Sequence, residues 1–263
     1  YLSEQFGRTK NIFKLINDTV KFNDFTLGRY VDLFEKKFSK YQNVKYSIGV
    51  GSGTDAIFLS LKALNIGKGD EVITPTYSFY ATVGAIVASG ATPIFADIKN
   101  DLNIDENKIL SLISKKTKAI VPVHWSGRIC NMSKICKIAK KFKIHIVEDA
   151  CHAILAHDEN GKYAGSFGIT GCFSMHPLKN LNVWGDGGVI TTNNNRIYKK
   201  LLLLRNHGLV NRNECRIYGY NSRLDTIQAA IALEMIKKIR AITSKRIKNA
   251  RYLNNNLKGV KSI

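Results

Sequence analysis

One lysine of this sequence lies in a setting that suits covalent chemistry. Lys179 follows a short run typical of a β-strand and then a proline, and the glycine-rich segment 185–188 lies just beyond it. An amine enclosed by protein loses its proton more readily than one in water, and it becomes a nucleophile that forms Schiff bases. The residues alone leave a second interpretation open, which is an ordinary solvated surface lysine.

A second segment has the composition of an anion site. Residues 49–56, Gly-Val-Gly-Ser-Gly-Thr-Asp-Ala, separate a predicted strand from a predicted helix. Glycines let the backbone approach an anion closely, and the amides of a helix N-terminus face it with the positive end of the helix dipole. The segment therefore predicts a phosphate cradle. The alternative is a plain tight turn in which Thr54 is the helix N-cap.

Two acids end a third segment. Glu148 and Asp149 close an apolar run that predicts a buried strand, and His152 follows them. Open parallel sheets bind ligands at the carboxyl ends of their strands. A carboxylate there keeps a nearby heterocyclic nitrogen protonated, because an opposite charge favours the charged form. The alternatives are a helix N-cap at Asp149 and a hydrogen-bonded core histidine at His152.

These segments need a sheet to position them. Short β-branched runs alternate with runs of helical spacing, a pattern typical of parallel sheets built from crossover units. We predict strands over 46–50, 71–74, 93–97, 119–123, 144–148, 171–175 and 189–192. We predict helices over 54–64, 79–89, 132–142 and 196–204. The predicted fold is an α/β three-layer sandwich with a mostly parallel seven-stranded sheet.

A further helix, predicted over 226–245, leads into a basic stretch. We expect residues 1–240 to form a large domain with an N-terminal helical segment, and residues 241–263 to begin a small domain that is mostly missing. The sequence lacks an initiator Met and ends without a closing strand, so we expect a fragment. It contains no signal peptide and no apolar run of about 18 residues that would predict a membrane span.

The charge and the cysteines limit the class of protein. The formal net charge of +20 favours anionic partners, but the lysines are dense only over 134–143 and 237–248, where helical spacing indicates solvated faces. No nucleic-acid motif is present, so a basic DNA-binding or regulatory protein is an alternative that depends on charge alone. Five cysteines without a C-x-x-C pair predict reduced thiols in the cytoplasm and no zinc site.

Taken together, the segments resemble the DegT/DnrJ/EryC1/StrS family of sugar aminotransferases, which depend on pyridoxal 5'-phosphate (PLP) and have fold type I. The similarity runs from about residue 25 to residue 233. The motifs that carry it are Gly28-Arg29-Tyr30-Val31, Ser52-Gly53-Thr54-Asp55-Ala56, Gly69-Asp70-Glu71-Val72-Ile73-Thr74-Pro75, Glu148-Asp149-Ala150, Phe173-Ser174-x-x-Pro177-x-Lys179-Asn180, Arg205-Asn206-His207-Gly208 and Gly219-Tyr220-Asn221-x-Arg223.

The resemblance implies a role for each candidate residue. Lys179 would hold PLP as a Schiff base and later move a proton between the substrate and cofactor carbons. Asp149 would pair with the pyridinium nitrogen, and His152 would lie beside the phenolic oxygen. Phe79 would stack on the ring, with a core-facing helix residue as the alternative.

The resemblance also implies how the phosphate is held. The amides of Gly53 and Thr54 and the hydroxyls of Thr54 and Ser174 would bind it. Asn221 would reach the phosphate of the neighbouring subunit, which predicts a homodimer with shared active sites. Trp125 lies where the family more often has a smaller residue, and we assign it no role from the sequence.

The implied reaction moves an amino group from an amino-acid donor, in this family usually L-glutamate, to a keto group of a nucleotide-linked sugar, for polysaccharide, glycan or amino-sugar biosynthesis. Two alternatives lie within the family: an aminocyclitol aminotransferase and a PLP-dependent sugar dehydratase. The dehydratases have His where the aminotransferases have the Schiff-base lysine, so Lys179 is evidence against the second. We predict neither a nucleic-acid nor a membrane partner.

Overall fold

Seven strands lie in one sheet in the computed structural model, which describes residue 7 and residues 9–260. The strands are β1 (Tyr46–Val50), β2 (Glu71–Pro75), β3 (Thr92–Ala96), β4 (Thr117–Ile120), β5 (His145–Asp149), β6 (Thr170–Ser174) and β7 (Gly188–Thr192). The α-helices are α1 (Lys10–Lys21), α2 (Arg29–Gln42), α3 (Gly53–Ala63), α4 (Tyr80–Ala88), α5 (Ile109–Leu112), α6 (Met132–Phe142), α7 (Asn195–Leu204), α8 (Thr226–Met235) and α9 (Ile239–Asn256).

The order of the strands across the sheet is β1-β7-β6-β5-β4-β2-β3. Strand β7 is antiparallel to both of its neighbours, and every other pair is parallel. Two reversals cancel, so β1 points the same way as β5 and β6. The carboxyl ends of these three strands therefore lie at one edge of the sheet, which is where a ligand site is expected.

Helices cover both faces of the sheet. Successive side chains of a strand point to opposite faces, and Cys172 and Phe173 illustrate this. Cys172 packs in a buried cluster with α3, α4 and α7, whereas Phe173 packs in another with α1, α2 and α8. These layers confirm the predicted three-layer α/β sandwich with a mostly parallel seven-stranded sheet.

Some predicted boundaries differ from the structure. Strand β4 ends at Ile120 rather than at residue 123, because Pro122 has no amide to donate to a neighbouring strand. The helix predicted over 226–245 is interrupted by the 3-10 turn Ile236–Lys238, and α9 continues to Asn256. A short antiparallel hairpin of β8 (Leu209–Asn211) and β9 (Glu214–Cys215) was not predicted.

The described residues also show which thiols, metal groups and membrane spans the fold contains. All five cysteines are free thiols. Within residues 7 and 9–260, no group of three or more His, Cys, Asp or Glu side chains could hold a metal ion. No helix in the same residues is both long enough and apolar enough to cross a bilayer.

A buried ion pair ties α2 and α7 to β1. Arg205 donates to Glu35 and also to the carbonyl of Gly49, at 2.9 Å. The amide of Gly49 donates to Glu35 at 2.7 Å. Burial raises the pKa of Glu35 despite the opposing effect of the Arg205 charge. The pair therefore fixes the strand that leads into the glycine-rich segment.

Replacing one partner of this pair should destabilise the fold. We expect Arg205→Met to lower the free energy of unfolding by about 3–5 kcal/mol, because it leaves the buried Glu35 carboxylate without its countercharge. Urea denaturation would measure the change. The matched control is Arg216→Met, whose ion pair with Glu214 is exposed and should be worth about 0–1 kcal/mol. If both variants lost the same free energy of unfolding, the buried ion pair would not have the stabilising role described here.

Candidate active site

Three segments that are far apart in the sequence meet at the carboxyl edge of the sheet. Asp149 ends β5, Ser174 ends β6, and Gly53 begins α3 just after β1. A Cβ atom on Gly53 would lie 2.7 Å from the Cβ of Ser174 and 3.1 Å from the Sγ of Cys151. Only glycine allows this approach, so the N-terminus of α3 packs directly against the ends of the two strands.

The N-terminus of α3 presents backbone amides at the edge of the sheet. Ser52, and not Thr54, is the N-cap, because its Oγ accepts a hydrogen bond from the Asp55 amide at 3.0 Å. The alternative of a turn capped by Thr54 is therefore wrong. The amides of Gly53 and Thr54 belong to the first helical turn, where no intrahelical acceptor is available. Thr54 is exposed, so this residue is accessible to a ligand.

Asp149 is buried and held by two donors. Its Oδ2 accepts from the Thr82 hydroxyl at 2.7 Å, and its Oδ1 accepts from the Cys151 amide at 3.2 Å. The Thr82 hydroxyl also lies 2.6 Å from the Oγ of Ser78. No helix follows Asp149, so the helix N-cap alternative is wrong. Each carboxylate oxygen retains a lone pair for a further donor.

Lys179 lies at a cleft of about 1080 Å³. Ser174, Cys151 and His152 line the same cleft, and α9 forms another wall. Lys179 is half-buried rather than enclosed, because the loop after β6 brings it to the wall of this open cleft. His152 is also half-buried, so it is not a core histidine. Burial lowers the pKa of His152, and the nearby Lys179 charge lowers it further, while Asp149 opposes both effects.

Two predicted site residues lie on the surface. Phe79 is 64% exposed and precedes α4, so the alternative of a core-facing helix residue is wrong. Asn221 is exposed as well, and the next residue, Ser222, accepts a hydrogen bond from the Gly51 amide at 3.3 Å. Arg223 donates to Asn206 at 3.0 Å. Asn221 thus belongs to a loop that packs against the glycine-rich segment.

Thr82 is the site residue that the sequence analysis missed. Its side chain is buried inside α4 and contacts the Asp149 carboxylate, a partner 67 positions away in the chain. A threonine within an apolar helix has no local pattern that marks such a contact. Phe79 lies in the short loop between β2 and α4, three residues before Thr82. The loop and the first turn of α4 therefore supply both residues to the same edge of the sheet.

The assembled groups have a distinct chemistry. They combine a primary amine at Lys179, a buried carboxylate at Asp149 and the helix N-terminus at Gly53, all at one sheet edge. This set complements an anionic heterocycle that carries a carbonyl group and a basic ring nitrogen.

Comparison with known proteins agrees with this chemistry. The family model described as the DegT/DnrJ/EryC1/StrS aminotransferase family matches residues 8–263. A relative from Geobacillus stearothermophilus, named pleiotropic regulatory protein, is 40% identical over 95% of this chain and 67% of its own length. UDP-N-acetyl-3-dehydro-alpha-D-glucosamine 3-aminotransferase from Acidithiobacillus ferrooxidans is 42% identical over 84% of this chain and 58% of its own length.

A solved structure is similar along nearly the whole chain. The crystal structure of ntda from Bacillus subtilis, with bound cofactor PMP, has a TM-score of 0.90 and 37% sequence identity. The match covers 96% of this chain and 58% of that one. The chain therefore spans about three fifths to two thirds of the length of these proteins. The family match, the two relatives and the shared fold agree, and the chain belongs to the DegT/DnrJ/EryC1/StrS aminotransferase family.

Proposed function

We propose that this protein is a PLP-dependent aminotransferase that acts on a keto group of a nucleotide-linked sugar. The observation that carries the proposal is that Lys179, Asp149 and the cradle at Gly53 meet at one edge of the sheet. Membership of an aminotransferase family supports the reaction, and a relative of known structure binds PMP, the amine form of PLP.

The residues fit PLP in charge and in shape. The amides of Gly53 and Thr54, with the hydroxyls of Thr54 and Ser174, would hold its phosphate, because the absence of a side chain at Gly53 lets the helix N-terminus pack directly against Ser174. Asp149 would accept from the protonated ring nitrogen with a free lone pair. When bound, PLP supplies an electron sink for a carbon that gains or loses a proton.

The other side chains have complementary tasks. Lys179 would bind the cofactor covalently and then, as a free amine, move the proton between carbon atoms at the cleft. His152 would hydrogen-bond the phenolic oxygen. The exposed ring of Phe79 would cover one face of the cofactor, a contact that loses little side-chain entropy.

The cleft supports an anionic sugar substrate. Arg128 and Arg246 line it together with Lys179, and cations there would attract a diphosphate. The relative from A. ferrooxidans is named for a UDP-linked keto sugar, which supports the same substrate class. We propose L-glutamate as the amino donor, as the resemblance implies. An aminocyclitol ketone is the alternative acceptor.

We also propose a homodimer in which Asn221 completes the phosphate site of the partner subunit. Large exposed rings around the site support a covering second copy, since Tyr80 is 86% exposed and Tyr218 is 99% exposed. The free thiols support a cytoplasmic location. We retain the proposed division into residues 1–240 and 241–263, with α9 running through the boundary.

Three predictions test the proposed function, and the first concerns covalent attachment of the cofactor. Incubation with PLP should give a visible absorption band, and borohydride reduction should fix the cofactor to Lys179, as located by peptide mass mapping. Lys179→Ala should lose both signals. Lys162→Ala is the control because Lys162 is exposed and packs over Phe167. A band that survives Lys179→Ala, or label on another lysine, would overturn the assignment.

The second prediction concerns the partner of Asp149. Thr82→Val keeps the shape of the side chain but removes the donor to a buried carboxylate, which is typically worth about 1.5–3 kcal/mol. We expect PLP to bind roughly tenfold or more weakly, as measured by absorbance titration. Thr82→Ser retains the hydroxyl and should bind nearly as the parent protein does. Unchanged affinity in Thr82→Val would show that this contact does not orient Asp149 for the cofactor.

The third prediction concerns the reaction. A glutamate-dependent amination screen over keto-sugar nucleotides should yield an amino sugar with at least one of them. Product from an aminocyclitol ketone alone would move the acceptor to that class, and loss of the sugar hydroxyl without amine transfer would favour the dehydratase. Salt-dependent retention on DNA, without cofactor absorbance, would instead favour the regulatory alternative.

A further inference from the structure

A short turn after β4 packs against His152. It comprises residues 124–128, called here the Trp125 turn, and its centre is the 3-10 segment Trp125–Gly127. Both Ser126 and Gly127 have positive φ values, of 51° and 85°. The left-handed conformation of Ser126 is uncommon for a residue with a side chain, so the surrounding contacts must hold the turn in this shape.

Two buried side chains anchor the Trp125 turn. His124 is fully buried, and its Nε2 lies 2.9 Å from the Glu148 carboxylate. Asn103 is also fully buried, and it holds both ends of the turn. Its Oδ1 accepts from the Trp125 amide at 3.1 Å, and its Nδ2 donates to the Arg128 carbonyl at 3.2 Å. The backbone that carries Trp125 is therefore fixed at three points.

The anchored turn contacts His152 in two ways. The rings of Trp125 and His152 meet edge to face, with centroids 5.1 Å apart and planes at 67°. A Cβ atom on Gly127 would lie 3.1 Å from the His152 carbonyl oxygen, so only a glycine packs there without displacement. On its other side, Trp125 meets Tyr77 edge to face at 4.7 Å. Trp125 is thus wedged between two rings.

We infer that Trp125 is a positioning residue that holds the His152 imidazole in place beside Lys179. Edge-to-face contacts between rings favour particular orientations, and this one restricts the rotamer of His152. The catalytic purpose of that restriction rests on the proposed function, in which His152 hydrogen-bonds the cofactor. The contact itself exists without cofactor and is open to a direct test.

The charged groups around His152 define the test. Lys179 and Asp149 act on its imidazole, and Arg128 and His157 line the same cleft. Burial lowers the pKa of His152 and the Lys179 charge lowers it further, while Asp149 opposes both effects, so the imidazole gains its proton at a lower pH than an ordinary histidine does. A protonated imidazole quenches the fluorescence of an adjacent indole, whereas a neutral one quenches it much less.

The chain contains two tryptophans, so Trp184→Phe isolates the emission of Trp125. Phenylalanine keeps the ring contact with Phe13, and the backbone amide at position 184 still donates to Gln228. In this cofactor-free variant, emission should fall as the pH falls through the His152 transition, with a midpoint below the ordinary histidine value. Adding His152→Asn should abolish the transition, and adding Lys179→Ala instead should move it to higher pH.

Replacing Trp125 separates positioning from mere contact. In Trp125→Ala, the midpoint of His152 measured by imidazole NMR should rise towards the ordinary value, because the ring loses its cover. PLP should bind roughly two- to tenfold more weakly to this variant. Trp125→Phe retains an aromatic edge and should restore most of both properties.

Two results would overturn the inference. One is a Trp125 emission that does not respond to pH or to His152→Asn. The other is a His152 midpoint and a PLP affinity that Trp125→Ala leaves unchanged. If no variant, including the parent protein, binds PLP, the proposed function fails, yet the fluorescence and NMR titrations still decide the role of Trp125.

Discussion

The buried carboxylate of Glu148 organises the region around the site. Its side chain is fully inaccessible to solvent, and such a charge is tolerated only when donors surround it. The donors are the His124 ring at 2.9 Å and the amides of Gly165 at 2.7 Å, Phe167 at 2.6 Å and Gly168 at 2.6 Å. One side chain thus holds the loop before β6 and the turn after β4. Because the side chains of a strand alternate between its two faces, Asp149 points to the face opposite Glu148, where the Thr82 hydroxyl donates to its carboxylate.

The sequence predicted the sheet well and the contacts within the site less well. Strand β1 matches its predicted range of 46–50, in which Tyr46, Ile48 and Val50 favour a strand and the glycine-rich segment that follows ends it. Glu148 and Asp149 were predicted together as two acids at a strand end, but only Asp149 faces the site. A sequence shows that the side chains of a strand alternate between two faces, but it does not show which helical layer each face meets. The different contacts of Glu148 and Asp149 were therefore visible only in the structure.

Other features depended on contacts between distant segments. By residue type, either Ser52 or Thr54 could be the N-cap of α3. The N-cap is Ser52 because the close packing of Gly53 on Ser174 fixes where the helix begins. The interruption after Met235 and the position of Thr82 are likewise set by packing rather than by local preference. Family resemblance predicted roles for Lys179 and its partners by position, whereas Trp125 acquired a proposed role only from its contacts with His152 and Tyr77.

The antiparallel insertion of β7 has a consequence for how the chain acquires its structure. In the described sheet β1 is an edge strand whose ladder is made only with β7, and Val50 pairs with Gly188. During synthesis, the glycine-rich segment therefore emerges long before the strand that secures it. Non-local pairing of this kind slows folding and leaves an unpaired strand edge exposed in the meantime. The glycine-rich segment should consequently be among the last parts of the sheet to form, and a nascent chain that stops before residue 188 should be prone to aggregate.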